Sequence, residues 1–119
     1  MWRQRLLSVV GASRGAENLR LLTAWHRAEG KAAQWNPLNT TYKLNNSSSF
    51  NKVGVQNYSR PTEGVCATAL TLVNGFYNGI LGDLQGGKLT AEQIVRQNWS
   101  EFQKWGTNPT VILAVLKEV

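Results

Sequence analysis

Cysteine is almost missing from this chain. Cys66 stands alone, so no internal disulfide can form. Histidine is equally scarce, with His26 the only one. A zinc site built from Cys and His is therefore out of reach, and the chemistry expected here uses no metal and no cofactor. Acidic residues are also few: seven, against thirteen Lys and Arg, for a formal net charge of +6. No run approaches the roughly 18 apolar residues of a membrane span. The short apolar stretch "LLSVVGA" near the start is soon followed by Arg14, which fits an amphipathic lead-in helix better than a secretory signal.

The basic residues are scattered from Arg3 to Lys104 and form no dense block. Such a surface is either simply solvated or suited to a polyanionic partner, nucleic acid or cell wall. A basic stripe interleaved with aromatics is absent, so a nucleic-acid partner is not expected.

What is present suffices for one small domain over residues 1–119, alone or as a module of a longer protein. Apolar residues make up 42% of the chain and include five Trp, enough for one core. Residues 2–10 suit a short helix ended by Gly11. Leu19, Leu22, Trp25, Ala28 and Glu29 recur at three- and four-residue steps, so Leu22, Trp25 and Glu29 share a helix face that stops at Gly30. Residues 36–60 are rich in Asn, Ser and Thr. They suggest a two-stranded flap, with strands near "TTYKL" and "VGVQNY" and a turn at "NNSSSFN". A long helix is predicted over 62–84, capped by Ser59, with an apolar stripe of Val65, Ala69, Leu72, Phe76, Ile80 and Leu84. "TAEQ" is a capping box opening a helix at Ala91, and "SEFQ" repeats it at Ser100. Asn108 and Pro109 open the last helix. The fold class expected is α+β, mainly helical, with a small β-hairpin flap between the Glu29 helix and a long central helix.

Glu29 is the candidate catalytic group. Cleaving a glycosidic bond requires a protonated acid beside a poor leaving group. Burial on an apolar face and the C-terminal end of a helix dipole both favour the neutral acid. The residues alone leave open a surface carboxylate paired with Arg27 or Lys31. A second carboxylate is hard to find. Glu63 is the one acid near the flap, and a first-turn helix position explains it equally well.

The ordered series "AEGKAAQWNPLNT", "VGVQNYSRPTEG" and "VCATALTLVNGFYNGI" resembles the lysozyme-like superfamily of peptidoglycan glycosidases, over roughly residues 17 to 85. It is most similar to small wall-lytic domains of bacteriophages, especially phages of actinobacteria, and also to autolysin and flagellar-type glucosaminidases. In those families a Glu closes a helix, an Asn-rich segment follows, and a Tyr–Ser strand leads into the next helix. The matching positions are Glu29, then Asn36 to Thr40, then Gln56 to Ser59. Gly30 stands where Ser is common, and Gly54–Val55–Gln56 only partly matches the transglycosylase "G-L-M-Q". The last 30 residues match nothing in the pattern.

The resemblance implies a lysozyme-like fold and a glycoside hydrolase or lytic transglycosylase acting on bacterial peptidoglycan, with Glu29 as general acid. It implies substrate contacts from Asn39, Thr40, Gln56, Tyr58 and Tyr77, whose amides and hydroxyls suit amino sugars. Turn-making explains Asn39 and Thr40 as well, and core packing explains Tyr77. Trp25 suits the core, while Trp35 is open to either use. A phage setting would place the protein in a virion tail, with other virion proteins as partners, or release it as a lysin onto the host wall. Two other classes compete. A Cys66–His26 peptidase has its two residues in the reverse of the usual wall-peptidase order. A non-catalytic virion or wall-binding module would use the charge and short length but has no need of the Glu29–Asn39–Tyr58 series.

Overall fold

The computed structural model describes all residues, 1–119. Seven helices follow in order: α1 (Trp2–Val9), α2 (Ala16–Ala28), α3 (Pro61–Leu72), α4 (Asn78–Gly86), α5 (Ala91–Gln97), α6 (Trp99–Trp105) and α7 (Pro109–Leu116). Between α2 and α3 lies the flap, with strands β1 (Ser48–Ser49) and β2 (Gln56–Asn57). The strands are antiparallel, pairing Ser48 with Asn57 and Ser49 with Gln56. The protein is thus mainly helical with one small two-stranded sheet.

The apolar periodicities find one another. Leu21, Leu22 and Trp25 of α2 are fully buried with Leu6 and Leu7 of α1, Leu72 of α3, Ile80 and Leu84 of α4, Ile94 of α5, Phe102 of α6 and Ile112 and Leu116 of α7. Each such side chain contributes about 1.5–3 kcal/mol of burial free energy. Helix α2 packs against α1, α5 and α7, so it runs through the centre of the core. An ion-pair network ties the same elements at the surface. Arg20 donates to both oxygens of Glu92, at 2.8 and 2.7 Å, and to the Leu116 carbonyl at 2.7 Å. The Arg20 guanidinium holds the Glu92 carboxyl down to about 2.

Helix starts follow local chemistry. Thr90 and Gln93 form the reciprocal capping box ahead of α5, and Asn108 caps α7 with Pro109 in its first turn. The box expected at Ser100 is not used: Asn98 holds the N-cap position of α6 without a side-chain bond, and Ser100 lies inside the helix. Nor does Ser59 cap α3, since Arg60 holds that position without a side-chain bond.

Two larger expectations are corrected. The predicted long helix over 62–84 is two helices, α3 and α4, broken at 73–77. Asn74 Oδ1 accepts from the Phe76 amide at 2.9 Å, and Gly75 takes φ +98°, both turn devices that outcompete helix continuation. Phe76 leaves the apolar stripe and is 61% exposed. The new end of α4 is capped from a distance: Glu101 accepts from the amides of Gly79 and Ile80 at 3.0 and 2.9 Å. In the flap, the first strand lies in the Ser-rich stretch expected to be the turn, and "TTYKL" forms no strand. The buried Asn36 side chain explains this. It donates to the carbonyls of Thr40 and Gln56 and accepts from the Thr40 amide, standing where a neighbouring strand would.

The flap is pinned to the helices at three points. Leu38 is fully buried in the core. Trp105 Nε1 donates to the Leu38 carbonyl at 2.7 Å. Thr40 and Thr71 share a hydroxyl–hydroxyl bond. The Trp35 carbonyl also lies against α3 where only glycine fits: a Cβ on Gly64 would stand 1.7 Å from that oxygen.

Gly64→Ala is expected to lower stability by about 3 kcal/mol, because the obstructing atom is backbone and cannot rotate away. Gly82 in α4 has open space around it. Gly82→Ala is expected to raise stability by roughly 0.5–1 kcal/mol. Denaturant melts of the two variants check both signs.

Candidate functional site

Glu29 is the C-cap of α2, where the helix stops before Gly30 at φ +68°. Its amide still bonds back to the carbonyls of Trp25 and His26, so the last turn holds the side chain in place. The carboxyl is half-buried and has two donors. Asn39 Nδ2 donates to Oε1 at 3.3 Å. Thr107 donates its hydroxyl to Oε2.

The direction of the Thr107 bond follows from its other partner. Trp25 Nε1 donates to Thr107 Oγ1 at 3.0 Å, and an indole N–H can only donate. The Thr107 hydroxyl proton is therefore free to point at Glu29. Both carboxyl oxygens accept, and the 3.3 Å bond at Oε1 is long for an N–H···O contact, which leaves that oxygen the freer of the two to carry a proton.

Burial raises the Glu29 carboxyl above its ordinary range. The bonds from Thr107 and Asn39, with the nearby Trp25 indole N–H, oppose this by favouring the ionised form, and burial prevails.

Behind the carboxyl stands an aromatic wall. Trp25 meets Trp105 edge-on at 5.0 Å between ring centroids, and Trp105 meets Tyr77 at 5.0 Å. Asn39 is held by more than Glu29. Its Oδ1 accepts from the Ala33 amide at 3.1 Å, and its backbone takes φ 55°, a left-handed conformation that Asn tolerates.

Of the residues expected to join Glu29, the structure brings Asn39 to it and Tyr77 to the wall beside it. Thr40, Gln56 and Tyr58 are buried and fully engaged internally. Thr40 bonds Thr71; Gln56 bonds Ser47 Oγ at 2.7 Å and the Gly54 carbonyl at 2.8 Å; Tyr58 donates its hydroxyl to the Tyr42 carbonyl. Burial pushes the Tyr58 phenol up to about 12. Tyr77 is also raised, by burial first and then by the charge of Glu101.

Thr107 and Trp105 were not singled out by the sequence. Thr107 sits in "GTNP", between the C-cap glycine of α6 and the N-cap of α7. Its contact with Glu29 spans 78 positions, which no periodicity reports. The usable signal was a Thr that neither neighbouring cap needs.

Most other acids are committed elsewhere. Glu17 and Glu92 bond Arg20, Asp83 bonds Gln97 and Asn98, and Glu101 caps α4. Glu63 lies in the first turn of α3 with Oε2 buried and unpartnered. No group of three or more His, Cys, Asp or Glu could hold a metal ion, and no helix is long and apolar enough to cross a membrane. Glu29 lines none of the three principal cavities of the surface.

No family model matches this chain, and neither a curated protein nor a solved structure matches it.

The raised Glu29 carboxyl has a stability signature. A folded-state value above the unfolded 4.5 contributes stability that is complete below pH 4.5 and is lost as pH rises through the folded value. Glu29→Gln removes that dependence. The variant is expected to gain stability relative to the unchanged protein as pH goes from 4 to 8, whatever the fixed offset between them. Melting temperatures across that range check the slope.

Proposed function

We propose that this protein is a peptidoglycan glycosidase of lysozyme-like type, with Glu29 as the general acid. The observation that carries the proposal is the carboxyl held half-buried at the helix end, raised by burial, between donors from the flap and from the α6–α7 turn. A surface carboxylate paired with Arg27 or Lys31 would be lowered, and neither residue forms an ion pair with Glu29. The order of a helix ending in Glu, a polar flap and a further helix pair supports the lysozyme-like fold, together with the residue matches at 29, 36–40 and 56–59.

In this mechanism Glu29 gives the proton on Oε1 to the glycosidic oxygen as the bond to the sugar breaks. Thr107 holds Oε2 and receives part of the charge that develops. Asn39, already at Oε1, is the residue best placed to meet the leaving group. Thr40, Gln56 and Tyr58 serve by shaping the flap through their internal bonds. Tyr77 backs Trp105. Glu17, Asp83, Glu92 and Glu101 are held in other bonds, and Glu63 on α3 forms no bond to Glu29 or Asn39, so the second role is assigned to the substrate's own N-acetyl or 6-hydroxyl group. Hydrolysis and anhydro-forming transglycosylation both fit such a one-acid scheme. A phage tail or a released lysin is the setting the resemblance implies.

One observation favours a second reading, a non-catalytic virion or wall-binding module: Glu29 lines none of the three principal cavities.

Purified cell walls separate the two. The unchanged protein is expected to clear a wall suspension, and Glu29→Gln to lose at least about 100-fold in rate, within the range that acid catalysis contributes. Equal clearing by both proteins rules out Glu29, and no clearing by either favours the binding module. Thr107→Val removes a bond that favours the ionised acid, so the alkaline limb of the pH–rate profile is expected to move up. Thr107→Ser is expected to restore the original limb.

A further inference from the structure

Two cavities of about 460 and 490 Å³ lie against α1, and both are lined by Met1, Arg5 and Val65. The first extends to Trp2, His26 and Trp35, the second to Arg14 and Thr62. Together they form a trough distinct from the Glu29 carboxyl. Two features of it bear on what it can bind.

One is charge. No Asp or Glu lines either cavity. Arg5 lines both and Arg14 the second, and neither takes part in the ion pairs of the molecule, which are all made by Arg20. His26 faces the first cavity with its ring edge-on to Trp2 at 5.5 Å. Burial, then Arg3 and Arg27, favour its neutral form, which offers one donor and one acceptor.

The other is Trp35. Its indole is 49% exposed, so it is not a core residue. Its backbone takes φ 53°, a left-handed conformation that costs a bulky residue about 1–3 kcal/mol. The surroundings over-determine that conformation. Gly64 makes room for its carbonyl, Tyr58 donates its amide to the Gln34 carbonyl at 3.0 Å, and Gln34 donates its own to Asn57 Oδ1 at 2.9 Å. The framework that docks the Trp35 carbonyl on α3 also fixes its half-exposed ring beside the trough as a ready contact platform.

An apolar trough lined by Arg5 and Arg14 suits a carboxylate on an otherwise apolar chain. A polyphosphate would leave the apolar lining at Trp2, Trp35 and Val65 without a partner. We propose that this trough binds a short acidic peptide, with its carboxylate at Arg5 and its apolar side chains against Trp2 and Trp35. The inference goes beyond the glycosidase reading and stands without it. Where peptidoglycan is the substrate, the peptides attached to its glycan are the source.

The test is an NMR titration with Ala-Glu-Ala-Ala and with the same peptide fully amidated to remove its carboxylates, following the indole N–H signals of Trp2 and Trp35. The expected result is saturable binding of the acidic peptide that shifts both signals, with the amidated peptide at least about tenfold weaker. Arg5→Gln and Trp35→Ala are each expected to weaken binding about tenfold, and Glu29→Gln to leave it unchanged. Arg5 is exposed and Trp35 half-exposed, so both variants are expected to keep the melting behaviour of the unchanged protein. Lack of saturable binding, equal binding of the amidated peptide, indifference to both trough variants, or tighter binding of inorganic tripolyphosphate at the same signals would overturn the proposal. Because the readout is binding and Glu29→Gln is a control, this result and the wall-clearing result are independent.

Discussion

The carboxyl of Glu29 is where three distant parts of the chain meet. Helix α2 brings it, Asn39 reaches it from the flap, and Thr107 reaches it from the turn between α6 and α7. A carboxyl in that position is caught between two tendencies. Burial resists its charge, and the donors around it invite charge. Burial prevails, and an acid that holds its proton more tightly than usual is the outcome. The remainder of the site can be understood as support for that balance. Trp25 satisfies its own indole on Thr107 and so directs the Thr107 hydroxyl at Glu29. Trp105 ties the flap to α6 through the Leu38 carbonyl and keeps Asn39 in reach.

The same elements explain why so small a flap is ordered. Two residues per strand give little stability by themselves. Leu38 enters the helical core, Thr40 bonds α3, and the Trp35 carbonyl fills the space that Gly64 leaves. Asn36 replaces a strand with a side chain. The polar residues of the flap thus do two kinds of work. Asn36, Thr40, Gln56 and Tyr58 are spent on the flap's own architecture, and Asn39 is turned outward to the carboxyl. Trp35 is turned outward on the strength of the same framework.

The sequence made some of this legible. The face shared by Leu22, Trp25 and Glu29, the stop at Gly30, the capping box at Thr90 and the Asn108–Pro109 start all depend on local spacing, and all appear in the structure. The flap was placed correctly between two helices but its first strand was displaced, because one Asn side chain substitutes for backbone pairing. The apolar stripe from Val65 to Leu84 hid a break, since Asn74 and Gly75 act through turn geometry that an apolar period does not register. Glu29 and Asn39 were singled out separately, as acid and as substrate contact, and the structure joins them by a hydrogen bond. Thr107 was not legible, as its role arises only when the chain's last quarter folds back on α2.

The claim on which the account rests is the protonation of Glu29, and a direct titration tests it. The side-chain carboxyl carbon of Glu29 can be followed by NMR from pH 3 to 8 in the folded protein. A midpoint above the ordinary 4.5 of a free glutamate is the result predicted. A midpoint at or below that value would mean that Thr107 and Asn39 win over burial, and would contradict the account.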